Sequence, residues 1–173
     1  MILISGVLNL DNMKEIVEAQ KKWQKAKDQA RRICLERGKS ELADRISVCT
    51  MFKGTETLEE MISLMFSAQG SEFLTRFGFP SLETFRKFIK YHPEKMGVWI
   101  DKGKIALSGE KNIFVVGNTT ASIKCDQTAL YRIILMHGAS AEIEASGYSV
   151  IKIEKDGVSD YNIKVSDNAK VMK

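Results

Sequence analysis

Residues 113–145 read IFVVGNTTASIKCDQTALYRIILMHGASAEIEA, and this stretch decides the fold. Ile113, Val115, Ala121, Ile123 and Cys125 return twenty residues later as Ile133, Leu135, Ala141, Ile143 and Ala145. Branched residues match branched ones, small match small, and the turn GNTTA at 117–121 falls on HGASA at 137–141. Within each set apolar residues alternate along the chain, which puts every second side chain inside a half-buried strand. Turns recurring at a fixed period mark stacked repeats, in which each unit covers the apolar face of its neighbour. The reading is a short β-solenoid with about two strands per turn and about three or four turns. Regular short strands would also suit an antiparallel β-sandwich or barrel.

The alternation extends in both directions. Val98/Ile100 and Ile105/Leu107 precede the quoted stretch; Ile151/Ile153, Ile163/Val165 and Ala169/Val171 follow it. The third copy, at Ile151/Ile153 and Ile163/Val165, reads as slipped in spacing. Near Ala169, Val171 and Met172 no capping helix follows the last rung, which leaves a strand edge free to pair and allows a homo-oligomer stacked end to end.

Before Gly97 the period is 3.6 rather than 2. Asp11 or Asn12 caps a long helix over about 12–37, and Met13, Ile16, Val17, Gln20, Trp23, Ala30 and Ile33 form its narrow apolar stripe. Gly38 closes it in the left-handed conformation. Thr57-Leu58-Glu59-Glu60 is a capping box, with Leu58, Met61, Ile62 and Met65 behind it. Ser71–Phe77 reads as a short helix stopped at Gly78, and Pro80-Ser81 opens another whose Leu82, Phe85, Phe88 and Ile89 share a face. The cluster Phe66, Phe73, Phe77, Phe79, Phe85 and Phe88 fits core packing of these helices. Met1–Leu10 is apolar but too short for a membrane span and lacks a basic start, so it reads as a short edge strand or packed arm. The expected class is therefore α+β: residues 1–96 mostly helical, 97–173 a β-repeat.

With 44% hydrophobic and 28% charged residues, disorder is not indicated. The three cysteines, Cys34, Cys49 and Cys125, are odd in number and far apart. They suit reduced thiols in a cytoplasm better than a disulfide framework or a metal site. His92 and His137 are the two histidines, too few and too separate for a metal cluster. No glycine-rich phosphate loop stands at a strand-to-helix junction. Cys125 near His137 is the one nucleophile candidate, yet it fills the slot that Ala145 fills one repeat on, which makes it a core residue. Glu142 and Glu144 flank Ile143 and point outward together, as a solvated edge. The chain is expected to be no enzyme, to need no cofactor and to hold no metal.

The net charge of +4 is concentrated. Between Lys21 and Lys39 eight basic residues stand against Asp28 and Glu36, so this segment carries +6 and the rest of the chain −2. Lys21, Lys22, Lys25, Arg31, Arg32, Arg37 and Lys39 are the candidate contacts to nucleic acid or another acidic partner. Lys21, Lys25 and Arg32 recur on one helix face, while Trp23 belongs to the apolar stripe and is withdrawn from base stacking. The apolar stripe is too thin for a membrane-lying helix.

The segments GNTTASIKCD (117–126), LMHGASAEIEASGYSV (135–150) and FPSLETFRKF (79–88) resemble uncharacterised small proteins of bacterial genomes and prophages, over about Cys49 to Val171. The resemblance implies a mobile-element origin and carries no site residues. The leading expectation is a non-catalytic interaction protein docking on a protein or ribonucleoprotein partner, for example an inhibitor of a host CRISPR or other defence nuclease. The alternatives are a self-assembling solenoid, such as a phage appendage, and a protein that binds RNA or DNA through the basic helix.

Overall fold

The computed structural model describes residues 5–172, with side chains described from Lys14 onward. The chain divides into two compact units, one closing at Ser67 and one running from Ala68. The change from helix to strand comes later, at Val98, where the hydrophobic period changes.

The first unit holds α1 (Ser5–Glu36), α2 (Ser40–Val48) and α3 (Leu58–Phe66). Helix α1 starts earlier than its capping signals suggest, so residues 5–10 are helical rather than strand or arm, and Asp11 and Asn12 lie inside the helix. Adding a residue to an existing helix gains a hydrogen bond at little further entropic cost, whereas a lone strand gains none. The remainder of the Met1–Leu10 expectation lies outside the described residues. At its other end α1 closes as expected. Gly38 is left-handed at φ +71°, and the Lys39 N–H reaches the Cys34 carbonyl at 2.8 Å while the Gly38 N–H reaches Leu35 at 3.0 Å. That pair of bonds is the Schellman closure.

Ile16, Ala19, Trp23, Ala30 and Cys34 are the buried stripe of α1, and α2 packs along it through Ala43 and Ile46. The Trp23 ring meets Phe52 edge-on with centroids 5.8 Å apart. The capping box forms in full: Thr57 Oγ1 accepts from the Glu60 N–H at 3.2 Å and Glu60 Oε2 from the Thr57 N–H at 2.9 Å. Behind it Leu58, Met61 and Ile62 are buried and Met65 is half-buried.

The second unit opens with α4 (Ala68–Phe77) and α5 (Leu82–Arg86), followed by 3₁₀ turns at Ile89–Tyr91 and Pro93–Met96. Nine strands follow: β1 (Val98–Ile100), β2 (Gly103–Ser108), β3 (Asn112–Val116), β4 (Thr119–Cys125), β5 (Leu130–Met136), β6 (Ser140–Ala145), β7 (Val150–Lys155), β8 (Asp160–Val165) and β9 (Lys170–Met172). The first eight each carry one of the alternating pairs, and β9 holds Val171 with Ala169 just before it. Odd strands form one sheet in the order β1-β3-β5-β7-β9 and even strands another, β2-β4-β6-β8. Every pairing is parallel. The chain therefore winds a two-sheet β-solenoid of about four turns, and the antiparallel sandwich or barrel does not apply.

The register bears out the twenty-residue period. Ile113 stands against Ile133 and Cys125 against Ala145. The third copy is not slipped: Ile133 stands against Ile153 and Ile143 against Ile163. Only aligning Ile151 on Ile133 creates a slip, whereas Ile151 stands against Tyr131. One apolar pair is out of phase. Trp99 stands against Val115 and joins the inner core, so Val98 and Ile100 face outward with Phe114 and Val116.

The two sheets differ outside. The even strands alternate strictly, β4 buried at every second residue, so their outer face is wet. Of the odd strands β3 and β5 are buried on both faces, from Ile113 through Val116 and from Ile133 through Met136. Helix α4 lies against β5 and β7, and Phe85 of α5 meets the Phe114 ring at 5.3 Å, edge to face.

The corners after β1, β3 and β5 share one device. Asp101, Gly117 and His137 hold the equivalent position and all are left-handed, at φ +51°, +66° and +60°. At Gly117 a Cβ would lie 2.4 Å from Asp101 Oδ1 and 2.9 Å from Leu82 Cδ1, so only glycine fits. Asp101 accepts from the Asn118 N–H at 2.8 Å and from Arg86 Nε at 2.6 Å, and the Arg86 bond holds its carboxyl below the usual range.

Candidate functional site

The seven expected contact residues are all exposed. At 3.6 residues per turn Lys21, Lys25 and Arg32 fall within about 40° of one another on the side of α1 opposite the buried stripe. Lys22 and Arg31 flank them, and Arg37 and Lys39 bracket the Gly38 closure just past the helix end. The three in line span roughly 16 Å at 1.5 Å per residue. Glu18, Asp28 and Glu36 lie on the same side of the helix at three- and four-residue steps from them, a spacing at which opposite charges attract. The stripe is thus interleaved with acids rather than uniformly basic.

Lys27, part of the +6 segment, belongs to the fold instead. It is 7% exposed, donates from Nζ to the Cys49 carbonyl at the end of α2, and sits 4.6 Å from the Trp23 ring centroid. A cation there meets both the negative end of a helix and an aromatic face. Trp23 is itself buried, so it offers no face to a base.

The two residues weighed for catalysis, Cys125 and His137, are enclosed or held in a contact. Cys125 is fully buried, and burial pushes its thiol up to about 11, away from the reactive thiolate. His137 sits at the opposite corner of the coil, its Nε2 2.7 Å from the Pro80 carbonyl and its ring 5.7 Å from Phe85. It ties the α4–α5 segment to the solenoid. His92 is exposed and contacts Glu94 at 3.3 Å. Among the described residues no three His, Cys, Asp or Glu side chains come together as a metal site would require.

Glu142 and Glu144 do point outward together. Across the even sheet Glu144 stands between Lys124 and Lys164, and Glu142 between Ser122 and Asn162, with Asn162 Nδ2 donating to Glu142 Oε1 at 2.9 Å. Both carboxylates face cross-strand partners of matching chemistry, so they stabilise the sheet. Among the described residues no helix is long and apolar enough to cross a membrane.

In the last coil core positions open to solvent. Ala145 is 1% exposed, but Val165, next in its stack, is 49% exposed. Ile143 is buried, whereas Ile163 and Tyr161 are half-exposed and only partly packed on the core. Ser166 and Asp160 donate back, to the Ala145 and Ala139 carbonyls. Neighbouring residues of a strand aim their backbone groups to alternate sides, so Tyr161, Ile163 and Val165 direct theirs away from β6. At the first coil Trp99 and Leu107 are buried, Ile105 is half-buried, and the Pro93–Met96 turn packs on β1. The extent to which β8 opens was visible only once the register was known.

Compared with protein-family models, with curated proteins and with solved structures, the chain matches none.

Proposed function

We propose that the protein is a non-catalytic interaction protein that docks on a protein partner through its last solenoid coil. The observation that carries the reading is the opening of the stack at β8, where Val165 occupies a core slot and remains 49% exposed beside an unpaired strand edge. An edge of this kind takes an added strand: backbone bonds supply affinity and alternate side chains supply selectivity. The coils behind it are rigidly registered, so the edge is held ready without an ordering cost on binding. The buried Cys125 and the tied His137 support a role that is not catalytic.

The test is capture from bacterial lysate by the intact chain and by Val165→Arg, with and without RNase. The reading expects a stoichiometric partner that survives RNase and is lost with the substitution. Equal capture by both forms would sink it. Inhibition of a defence nuclease is the narrower form of this reading, and the prophage resemblance supports it. Restored cleavage by a purified CRISPR effector when Val165→Arg replaces the native chain would be its signature.

A second reading, RNA or DNA binding through α1, is favoured by the alignment of Lys21, Lys25 and Arg32 along its exposed side. The triple variant Lys21→Glu/Lys25→Glu/Arg32→Glu should then abolish salt-dependent binding. Unchanged binding would dismiss it.

A further inference from the structure

Building on the last coil as a docking edge, we infer that its occupant is an extended segment of a protein partner, added parallel to β8 as a tenth strand. Over the six residues that β8 spans, the segment reads base, apolar, polar, aliphatic, acid, apolar.

The fifth coil is half built. Strand β9 stands on β7 in the odd sheet, Val171 against Ile151, while among the described residues the even sheet ends at β8. One strand site is left, bounded by the β8 edge and by the half-buried Val171 across the core. A single extended segment fills that site, whereas a sheet edge backed by a second sheet would meet β9.

The N–H groups of Asp160 and Ser166 point to β6, at the Ala139 and Ala145 carbonyls. Tyr161, Ile163 and Val165 therefore present their backbone groups to the open site. In the parallel direction used by every strand pair of this solenoid, the first, third and fifth residues of the segment bond to them. Its second, fourth and sixth side chains then stack inward on Tyr161, Ile163 and Val165. The middle inward column runs Leu107, Ile123, Ile143 and Ile163, so the fourth residue is leucine or isoleucine. The flanking columns mix sizes, Ala141 beside Tyr161 and Ala145 beside Val165, and admit several apolar residues.

Charge sets the order of the remaining positions. The outward residues of β8, Asp160, Asn162 and Lys164, are exposed. Within the sheet Glu144 stands between Lys124 and Lys164, and Asn162 donates to Glu142 at 2.9 Å. On the open side Asp160 takes a base in the first position and Lys164 an acid in the fifth, each about 4.8 Å away. An antiparallel segment would need these two charges in reverse order.

The probes are a fluorescent decapeptide, SGKVTIEVGS, and its charge-swapped form, SGEVTIKVGS, titrated against the intact chain by anisotropy. The first should bind at least about fivefold more tightly, and Asp160→Lys/Lys164→Asp should reverse the preference. N-methylation of the peptide threonine should weaken binding about tenfold or more, whereas N-methylation of its isoleucine should change it less than about twofold. Only the threonine N–H faces β8 in the parallel register. Equal binding of the two peptides, or preference for the swapped form, overturns the inference. If neither peptide binds at about 1 mM while capture of a lysate partner still depends on Val165, the extended segment is overturned and the docking edge stands. If Val165→Arg leaves both capture and peptide binding unchanged, the edge itself falls.

Discussion

Strands β5 and β6 belong to one coil, yet they bury themselves differently. In β5 four successive residues, Ile133 to Met136, are enclosed, whereas in β6 burial skips every other residue. Both strands are parallel, both contribute their inner residues to one core, and both sit between neighbours on either side. What differs is the outer side: α4 and Phe85 cover the odd sheet, and water covers the even one. Burial in a solenoid is therefore set by what the surrounding chain places outside each sheet, and the sequence of each strand follows that cover.

The largest test of this contrast removes an outward residue from each sheet. Phe114 is fully buried against α5, so Phe114→Ala should lower stability by about 3–5 kcal/mol through lost burial and the cavity left behind. Ser122, outward on the even sheet, is exposed, and Ser122→Ala should change stability by less than about 0.5 kcal/mol. Denaturant unfolding decides it, and comparable losses at both positions would refute a cover on one side only.

A second test moves along one stack instead of across the coil. Ile143 and Ile163 occupy the same register position in successive coils, but the first is buried and the second half-exposed. Ile143→Ala should cost about 2–5 kcal/mol, and Ile163→Ala less than half of that, because a cavity at an open end is filled by water. Equal costs would contradict the opening of the last coil.

The corner after β7 gives a smaller, pH-dependent effect. Burial pushes the Asp156 carboxyl upward, but the N–H groups of His137 at 2.7 Å, Ser159 at 2.9 Å and Val158 at 3.2 Å, with the Ser159 hydroxyl, outweigh it and leave the pKa lowered. A folded-state pKa below the unfolded one means that the ionised form is the stabilising one. The contribution is full above the ordinary carboxylate range and is lost as pH falls through the lowered folded value. Asp156→Asn should cost about 1–3 kcal/mol at neutral pH and flatten the acid limb of the stability profile. An unchanged acid limb would count against the bonding at this corner.

Much of this was legible because parallel coils force like onto like. Ile113 over Ile133 and Ala121 over Ala141 could be paired from their spacing, since a core slot of fixed size repeats with the coil. The slot that admits Ala145 identified Cys125 as packing for the same reason. The helical cover was harder to read. The runs Ile113–Val116 and Ile133–Met136 are continuous, the mark of strands buried on both faces, but alternation within them hides that mark until a helix is seen outside. Val98 and Ile100 misled similarly, because the larger Trp99 between them is the inner residue. For the basic helix, sequence located the charges but could not show that Lys27 turns inward to the Cys49 carbonyl, a contact between residues far apart in the chain.

The smallest effect lies on the wet sheet. Lys124, Glu144 and Lys164 stand in line across β4, β6 and β8, with adjacent strands about 4.8 Å apart. Glu144→Lys makes three like charges in a row and should destabilise the fold by about 0.5–1 kcal/mol at low salt. Much of that should vanish near 1 M salt, where the screening length falls to about 3 Å. Reversing the whole ladder, Lys124→Glu/Glu144→Lys/Lys164→Glu, restores the alternation and should recover most of the loss. Lys124 also pairs with Asp126 at 3.2 Å, so the recovery should be incomplete by the amount of that contact. A loss from Glu144→Lys that ignores salt would show that position 144 acts through packing, and would make the even sheet less open than its alternating burial says.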